Sequence, residues 1–514
     1  MRTALRGQLL SFKDDPSVVG AATSHRYLED GLLVIEDGRI AAAGAAQELL
    51  PGLPSGTPVE HWPDCLILPG LIDAHIHFPQ TQVIASFGAQ LLDWLQNYAF
   101  VEEQRFGDPA HGARIASFFL DELARNGTTT AVVYGSVHPQ SAEAFFAESA
   151  RRNTRMIAGK VMMDRGAPES LLDTAERGYA ESKALIALWH GKGRQLYAIS
   201  PRFALTSSEG QLEAAGALAR EHPDCYVQTH LAENHDEIVA VRRLFPWAES
   251  YTHVYDRFGL LGPRSIFGHC LHLSAAEREL LSATRSVAAF CPTSNLFLGS
   301  GLFDLEALRD PARPVRVSLA TDVGGGTSYS LLRTAAEGYK VLQLQRQPWP
   351  ALDAFYALTL GNARALGLAD EIGTLEPGTA ADLVVLDPRA TPAMAHRMEE
   401  IAGDLAASLF LLMTMGDERA VRATYVSTPA RAGRRRPQAT RRGGAADGQD
   451  DRDPGRPRAR RSRCGQKVLV GLRHENIVAF GELAGVRLGE ALVAHPCSIW
   501  NGRAGDSTLP NLPP

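Results

Sequence analysis

Eight short apolar runs, each ending in polar or reactive residues, constrain this chain more than any other feature. In order they are CLILPGLIDAHIHF (65–78), TTTAVVYGSVH (128–138), MIAGKVMMDR (156–165), LYAISPRF (196–203), CYVQTHLAEN (225–234), SIFGHC (265–270), SVAAFCPTSN (286–295) and VSLATDVGGG (317–326). The stretches between them are helical in pattern. In HGARIASFFLDELARNG (111–127) apolar residues recur at helix spacing and Gly127 supplies a stop. Eight βα units over roughly 300 residues predict a (β/α)8 barrel, in which the C-terminal ends of the strands carry the active site. The other α/β arrangement, an open doubly wound sheet, lacks its nucleotide fingerprint here. Gly324-Gly325-Gly326 does not fit G-x-G-x-x-G, and no G-x-x-x-x-G-K-[ST] occurs.

The flanks read as β structure. LLVIEDGRIAAAG holds two apolar runs around Asp37-Gly38, a hairpin signal because a type I′ turn needs positive φ. IGTLEPGTAADLVVLD and VRATYV repeat that texture late in the chain. The expected organisation is one small sheet domain from residues 1–68 and 374–428, with the barrel at 69–373 between them. Residues 429–466 are expected to be a disordered Arg-rich linker, and residues 467–514 a tail without an assigned role. Between Arg431 and Arg463 there are twelve Arg and four Asp, with no aromatic residue. Such a composition buries too little apolar surface to offset chain entropy. A basic arm for nucleic acid is the functional alternative for that segment.

Composition excludes several classes. Lys and Arg number 52 against 58 Asp and Glu, so the chain as a whole has no electrostatic case for nucleic acid, and none is expected as a partner. Six cysteines without a C-x-x-C rule out a disulfide scaffold. The opening MRTALRGQLLSFKDDP lacks the apolar core of a secretory signal, and no apolar run reaches the ~18 residues of a membrane span. A cytoplasmic location is expected.

His75 and His77 lie two apart on the first predicted barrel strand, so alternation along the strand turns both imidazoles to one face. His230 and His269 end the fifth and sixth strands, and Asp322 the eighth. Neutral imidazoles plus one carboxylate suit a borderline ion such as Zn2+ with an open position for water. His75, His77, His230 and Asp322 are the predicted ligands.

Taken together, PGLIDAHIHFPQ (69–80), PRFA (201–204), HLAEN (230–234), GHC (268–270), CPTSNLFLGSGLF (291–303) and TDVGGGTSYS (321–330) resemble the amidohydrolase superfamily. Within it, FPQTQVIASFGAQLLDWLQNYAFVEEQRF (78–106) is similar to the loop after the first strand of the guanine deaminase family. The resemblance spans roughly residues 30 to 428. It implies a (β/α)8 barrel with a composite β-sandwich from both chain ends, one Zn2+ per subunit, conversion of guanine to xanthine with release of ammonia, and a homodimer. Superfamily members with two metals bridge them through a carbamylated Lys on the fourth strand. That strand ends here in SPRF, and Lys160 belongs to the third, so one metal is expected.

The resemblance also implies roles. Glu233, three residues after His230, is the general acid/base. Asp322 adds proton acceptance to ligation, and His269 hydrogen-bonds the attacking hydroxide or the tetrahedral intermediate. Gln80, Arg202 and Phe203 bind the purine: Arg202 as a donor, Phe203 as a stacking face and Gln80 along the ring edge. Trp94 and Phe100 either close the pocket or pack behind it. Adenine nucleosides, pterins and triazines remain alternative substrates, and a catalytically silent scaffold remains an alternative role.

Overall fold

The computed structural model describes residues 2–88 and 90–427. The Arg-rich linker and the tail expected after residue 428 lie outside the described residues. In chain order the strands are β1 (Arg2–Phe12), β2 (His25–Glu36), β3 (Arg39–Ala45), β4 (Val59–Pro69), β5 (Leu71–His77), β6 (Thr128–Tyr134), β7 (Arg155–Gly159), β8 (Val161–Met162), β9 (Leu196–Pro201), β10 (Tyr226–Leu231), β11 (Ser265–His269), β12 (Val287–Phe290), β13 (Arg316–Leu319), β14 (Leu383–Leu386) and β15 (Val421–Tyr425).

The predicted barrel is present. Strands β5, β6, β7, β9, β10, β11, β12 and β13 are parallel neighbours in that order, and β8 adds a short pairing to β9. The ring closes between β13 and β5 through the residues at the strand ends. Asp322 N donates to His75 O and His77 N to Val323 O, both at 2.9 Å. Lower down, Asn362 Nδ2 donates to Ile72 O at 2.7 Å and to Leu319 O at 2.8 Å. Closure thus holds β5 and the residue after β13 in fixed register, and those two segments carry three of the four predicted ligands.

Side chains alternate along the strands as a period of two requires. Val132, Ile157, Ala198 and Ile266 belong to one buried cluster. Their neighbours Ala131, Val133, Met156, Ala158, Tyr197, Ile199 and Phe267 belong to a second, shared with the surrounding helices. The helix Pro109–Arg125 illustrates the outer layer. Asp108 caps it by accepting from Ala110 N, Pro109 opens it, and Phe119, Leu120 and Leu123 face inward.

The chain ends form a six-stranded sheet of order β15-β14-β4-β1-β2-β3. Asp37 (φ 51°) and Gly38 (φ 81°) make the β2–β3 turn, as the positive-φ requirement of a type I′ hairpin predicts. One expectation changes. The first apolar run is not one strand but two: β4 ends at Pro69 in this sheet and β5 begins at Leu71 in the barrel. Gly70 is the crossing point, and a Cβ there would stand 2.2 Å from Thr129 Oγ1. Only a residue without a side chain lets the two sheets approach so closely. The third run also divides, with Lys160 between β7 and β8.

Candidate metal and catalytic site

The strand ends bring the predicted ligands together. His75 and His77 project from β5, His230 from β10, and Asp322 follows β13 in a left-handed conformation (φ 50°). All four are buried or nearly so. His77 Nε2 and His230 Nε2 are 3.2 Å apart, while Asp322 Oδ1 lies 3.3 Å from His75 Nε2 and 3.4 Å from His77 Nε2. Zinc–ligand bonds of 2.0–2.1 Å in a tetrahedron place neighbouring donor atoms roughly 3.3 Å apart, so these separations suit one shared ion.

Hydrogen bonding and ionisation agree with that reading. His230 Nδ1 donates to Arg202 O at 2.7 Å, which leaves the Nε2 lone pair facing its partners. His75 Nδ1 and Nε2 and His77 Nδ1 have no hydrogen-bond partner among the described residues. Burial holds all three imidazoles below the ordinary histidine range, reinforced at His77 and His230 by neighbouring rings, and so keeps them neutral. At Asp322 burial works the other way, but the surrounding imidazoles, His75 above all, hold its carboxyl down to about 2. Neutral nitrogen donors and one ionised oxygen are the donor set of a borderline divalent cation.

Two other groupings are explained differently. Cys291 lies near His269 and Asp322, but burial pushes its thiol well above the ordinary range and keeps it protonated. His190, Asp224 and Cys225 also cluster. There His190 Nδ1 accepts from Tyr197 N at 3.0 Å, which commits Nε2–H to Asp224 at 3.1 Å. Lys160 is fully buried, and its Nζ pairs with Asp173 and, at 3.1 Å, with Glu181.

Glu233 stands beside the predicted ligands. Its Oε2 is 3.2 Å from His269 Nε2, and its Oε1 accepts from Ser300 Oγ at 3.1 Å. Burial pushes Glu233 up to about 7; Glu237 and Asp322 add to the rise and His269 opposes it. His269 is held above the ordinary histidine range: burial opposes this, but Glu233, Asp322 and the Asn295 hydrogen bond outweigh it. Its Nδ1 donates to Asn295 Oδ1 at 2.8 Å, which aims Nε2 at the two carboxylates. Residue 233 is itself held from behind, because Glu237 Oε2 accepts its backbone N–H at 2.9 Å within the capping box of helix His235–Leu244.

A cleft opens onto these groups. His77, His230, Glu233, His269 and Asp322 line it at one end, and Gln80, Trp94, Arg202, Phe203 and Leu298 are among its other lining residues. Trp94 therefore lines the cleft. Phe100 sits behind it, with the Arg202 guanidinium 5.1 Å from its ring centroid. Glu103 was not singled out from the sequence, yet it binds both Arg202 and Gln80. Asn295 and Ser300 were also missed, although both lie in the quoted motif CPTSNLFLGSGLF.

Comparison with known proteins agrees with this geometry. The amidohydrolase family profile matches residues 66–430. The guanine deaminase of Escherichia coli is 46% identical over 426 residues, covering 82% of this chain and 96% of that one. Its solved structure superposes with a TM-score of 0.81 over 83% of this chain and 98% of its own. The guanine deaminase structure from Bradyrhizobium japonicum gives a TM-score of 0.80 at 38% identity, over 85% of this chain and 100% of its own. That of the C. acetobutylicum enzyme, with bound guanine in the active site, gives 0.73 at 25% identity, over 84% and 100%. This chain belongs to the amidohydrolase family.

Proposed function

We propose that this chain hydrolyses guanine to xanthine and ammonia, using one zinc ion per subunit held by His75, His77, His230 and Asp322. The observation that carries the reading is a buried carboxyl poised near neutrality, Glu233, beside three imidazoles and an aspartate with metal-ligand spacing, at a cleft that these side chains line together with Arg202 and Phe203. The extent and identity of the match to guanine deaminases support guanine as the substrate.

When bound, the ion supplies Lewis acidity that makes a water nucleophilic near neutral pH. The protein's own groups then move the protons. Glu233, ionised, takes one proton from the attacking water and delivers it to the ring nitrogen beside the amine-bearing carbon. Oxygen adds to that carbon, which becomes tetrahedral. His269 hydrogen-bonds the added oxygen, its ring orientation fixed by Asn295. The second water proton passes through Asp322 or Glu233 to the amine, which leaves as ammonia, and the carbonyl of xanthine forms. Phe203, buried with its ring 6.0 Å from that of His230, offers a stacking face, and Arg202 and Gln80 bind the ring edge.

The reading extends to a cytoplasmic homodimer without a nucleic-acid partner, taken from the resemblance and the charge balance. No helix among the described residues is long and apolar enough to cross a membrane. The direct test follows guanine conversion to xanthine by ultraviolet absorbance, with and without a chelator, and compares adenine and a pterin. Turnover of guanine that chelation removes and zinc restores is expected. Turnover of a pterin or adenine in preference to guanine overturns the substrate assignment.

A further inference from the structure

We propose that Glu103 is a positioning residue that makes the cleft selective for a 6-oxopurine, an inference that rests on the guanine reading above. Glu103 ends the helix Phe100–Glu103 in the segment after β5 and is fully buried. Its Oε1 accepts from Gln80 Nε2 and from Arg202 Nη1, each at 2.9 Å, and its Oε2 accepts from the same Nη1 at 2.7 Å. Its own backbone is pinned, since Ser136 Oγ donates to Glu103 O at 3.1 Å. One carboxylate thus ties together two side chains that line the cleft from different strand ends.

Charge is the first consequence. Arg202 is only 2% exposed. A buried guanidinium without a partner is strongly disfavoured and would draw anions into the cleft. Paired with Glu103 it is part of a neutral unit, which suits an uncharged ring.

Direction is the second. A carboxylate can only accept, so the Gln80 amide must turn its nitrogen toward Glu103. Its oxygen is thereby left for the opposite side, where Gly324 N lies 3.4 Å away, and for the cleft. Nη1 is the only guanidinium nitrogen of Arg202 with a hydrogen-bond partner among the described residues, so its remaining N–H groups stay available as donors. A donor and an acceptor held by one carboxylate complement a lactam, in which a carbonyl oxygen sits next to a ring N–H. Guanine carries that pair at O6 and N1. Adenine inverts it, and unsubstituted purine lacks it.

The test is Glu103→Gln in the full-length, zinc-loaded chain. The new amide presents an N–H₂ where Gln80 or Arg202 needs an acceptor, so one of them must turn away. KM for guanine should rise about 10-fold or more, with kcat within about 3-fold, as expected when a buried ligand-reading contact is lost. As a competitive inhibitor, hypoxanthine, a 6-oxopurine, should weaken by the same factor while unsubstituted purine changes less than about 2-fold. Equal weakening of both inhibitors, or an unchanged KM, overturns the proposal, because a general loss of packing does not distinguish them. Should the Gln variant fail to fold, Glu103→Asp keeps the charge but shortens its reach. A smaller shift in the same hypoxanthine-to-purine ratio supports the proposal, and an unchanged ratio in that folded variant overturns it. Wild-type protein that leaves guanine untouched overturns the parent reading, whereas wild-type turnover with an unchanged ratio in the variants overturns this inference alone.

Discussion

The two ends of the cleft are built on different principles. At the metal end, His75, His77, His230 and His269 sit on barrel strands, and Asp322 is placed by the hydrogen bonds that close the ring. At the far end, Gln80, Trp94 and Glu103 come from the long segment between β5 and the helix Pro109–Arg125, and Arg202 and Phe203 from the turn after β9. Backbone ladders fix the first set. The second is fixed by one buried ion pair and by an apolar cluster of Trp94, Leu95, Phe100, Phe203 and Leu298. On the proposed reading, strand ends hold the reacting groups, while a segment attached to them carries recognition. The chemistry and the choice of substrate should then be separable by mutation.

The largest effect that comparison predicts is at His75. His75→Ala removes a ligand from the ladder-held end, so bound zinc should fall below stoichiometry and turnover should vanish, with metal analysis as the check. Full zinc with activity intact would break the ligand assignment. Next comes Glu233→Gln, which should retain zinc and lose ~10²-fold or more in kcat, the scale of a removed acid/base group. Its pH profile sharpens the point. In the proposed mechanism the ionised form of Glu233 accepts the water proton, so the wild-type rate should fall as pH drops through the carboxyl's pKa, and that limb should disappear in the variant. A retained limb would assign the titration to another group.

Changes at the recognition end should be smaller and should fall mainly on KM. Phe203→Ala removes the stacking face, worth about 1–3 kcal/mol, so KM should rise roughly 10- to 100-fold with zinc content unchanged. A loss confined to kcat would undo the division between the two ends. Least affected should be Trp94→Phe, which keeps an apolar wall. A change of less than about 10-fold in kcat/KM is expected, since conservative apolar replacements commonly cost under about 1.5 kcal/mol.

The convergence of the predicted ligands was legible in the sequence because its signals are local and periodic. H-x-H on an alternating strand places two imidazoles on one face, and the βα rhythm puts His230, His269 and Asp322 at equivalent heights. Two features escaped for physical reasons. The crossing at Gly70 was hidden because β4 and β5 are both apolar where they meet, so nothing in the pattern marks a change of sheet. Glu103 was hidden because nothing local in FVEEQRF sets it apart from its neighbour Glu102. Its burial depends on Arg202, 99 positions away, which no local pattern reveals. Asn295 and Ser300 lay inside a recognised motif, but their roles depend on His269 and Glu233, which only the closed barrel brings near them.

The central claim is a single ion shared by side chains from β5, β10 and the turn after β13. Anomalous diffraction from crystals of the zinc-loaded protein, recorded on both sides of the zinc absorption edge, tests it most directly. The account predicts one peak per subunit, about 2.0–2.2 Å from His75 Nε2, His77 Nε2, His230 Nε2 and one oxygen of Asp322. A peak elsewhere, or two peaks bridged by another residue, would contradict it.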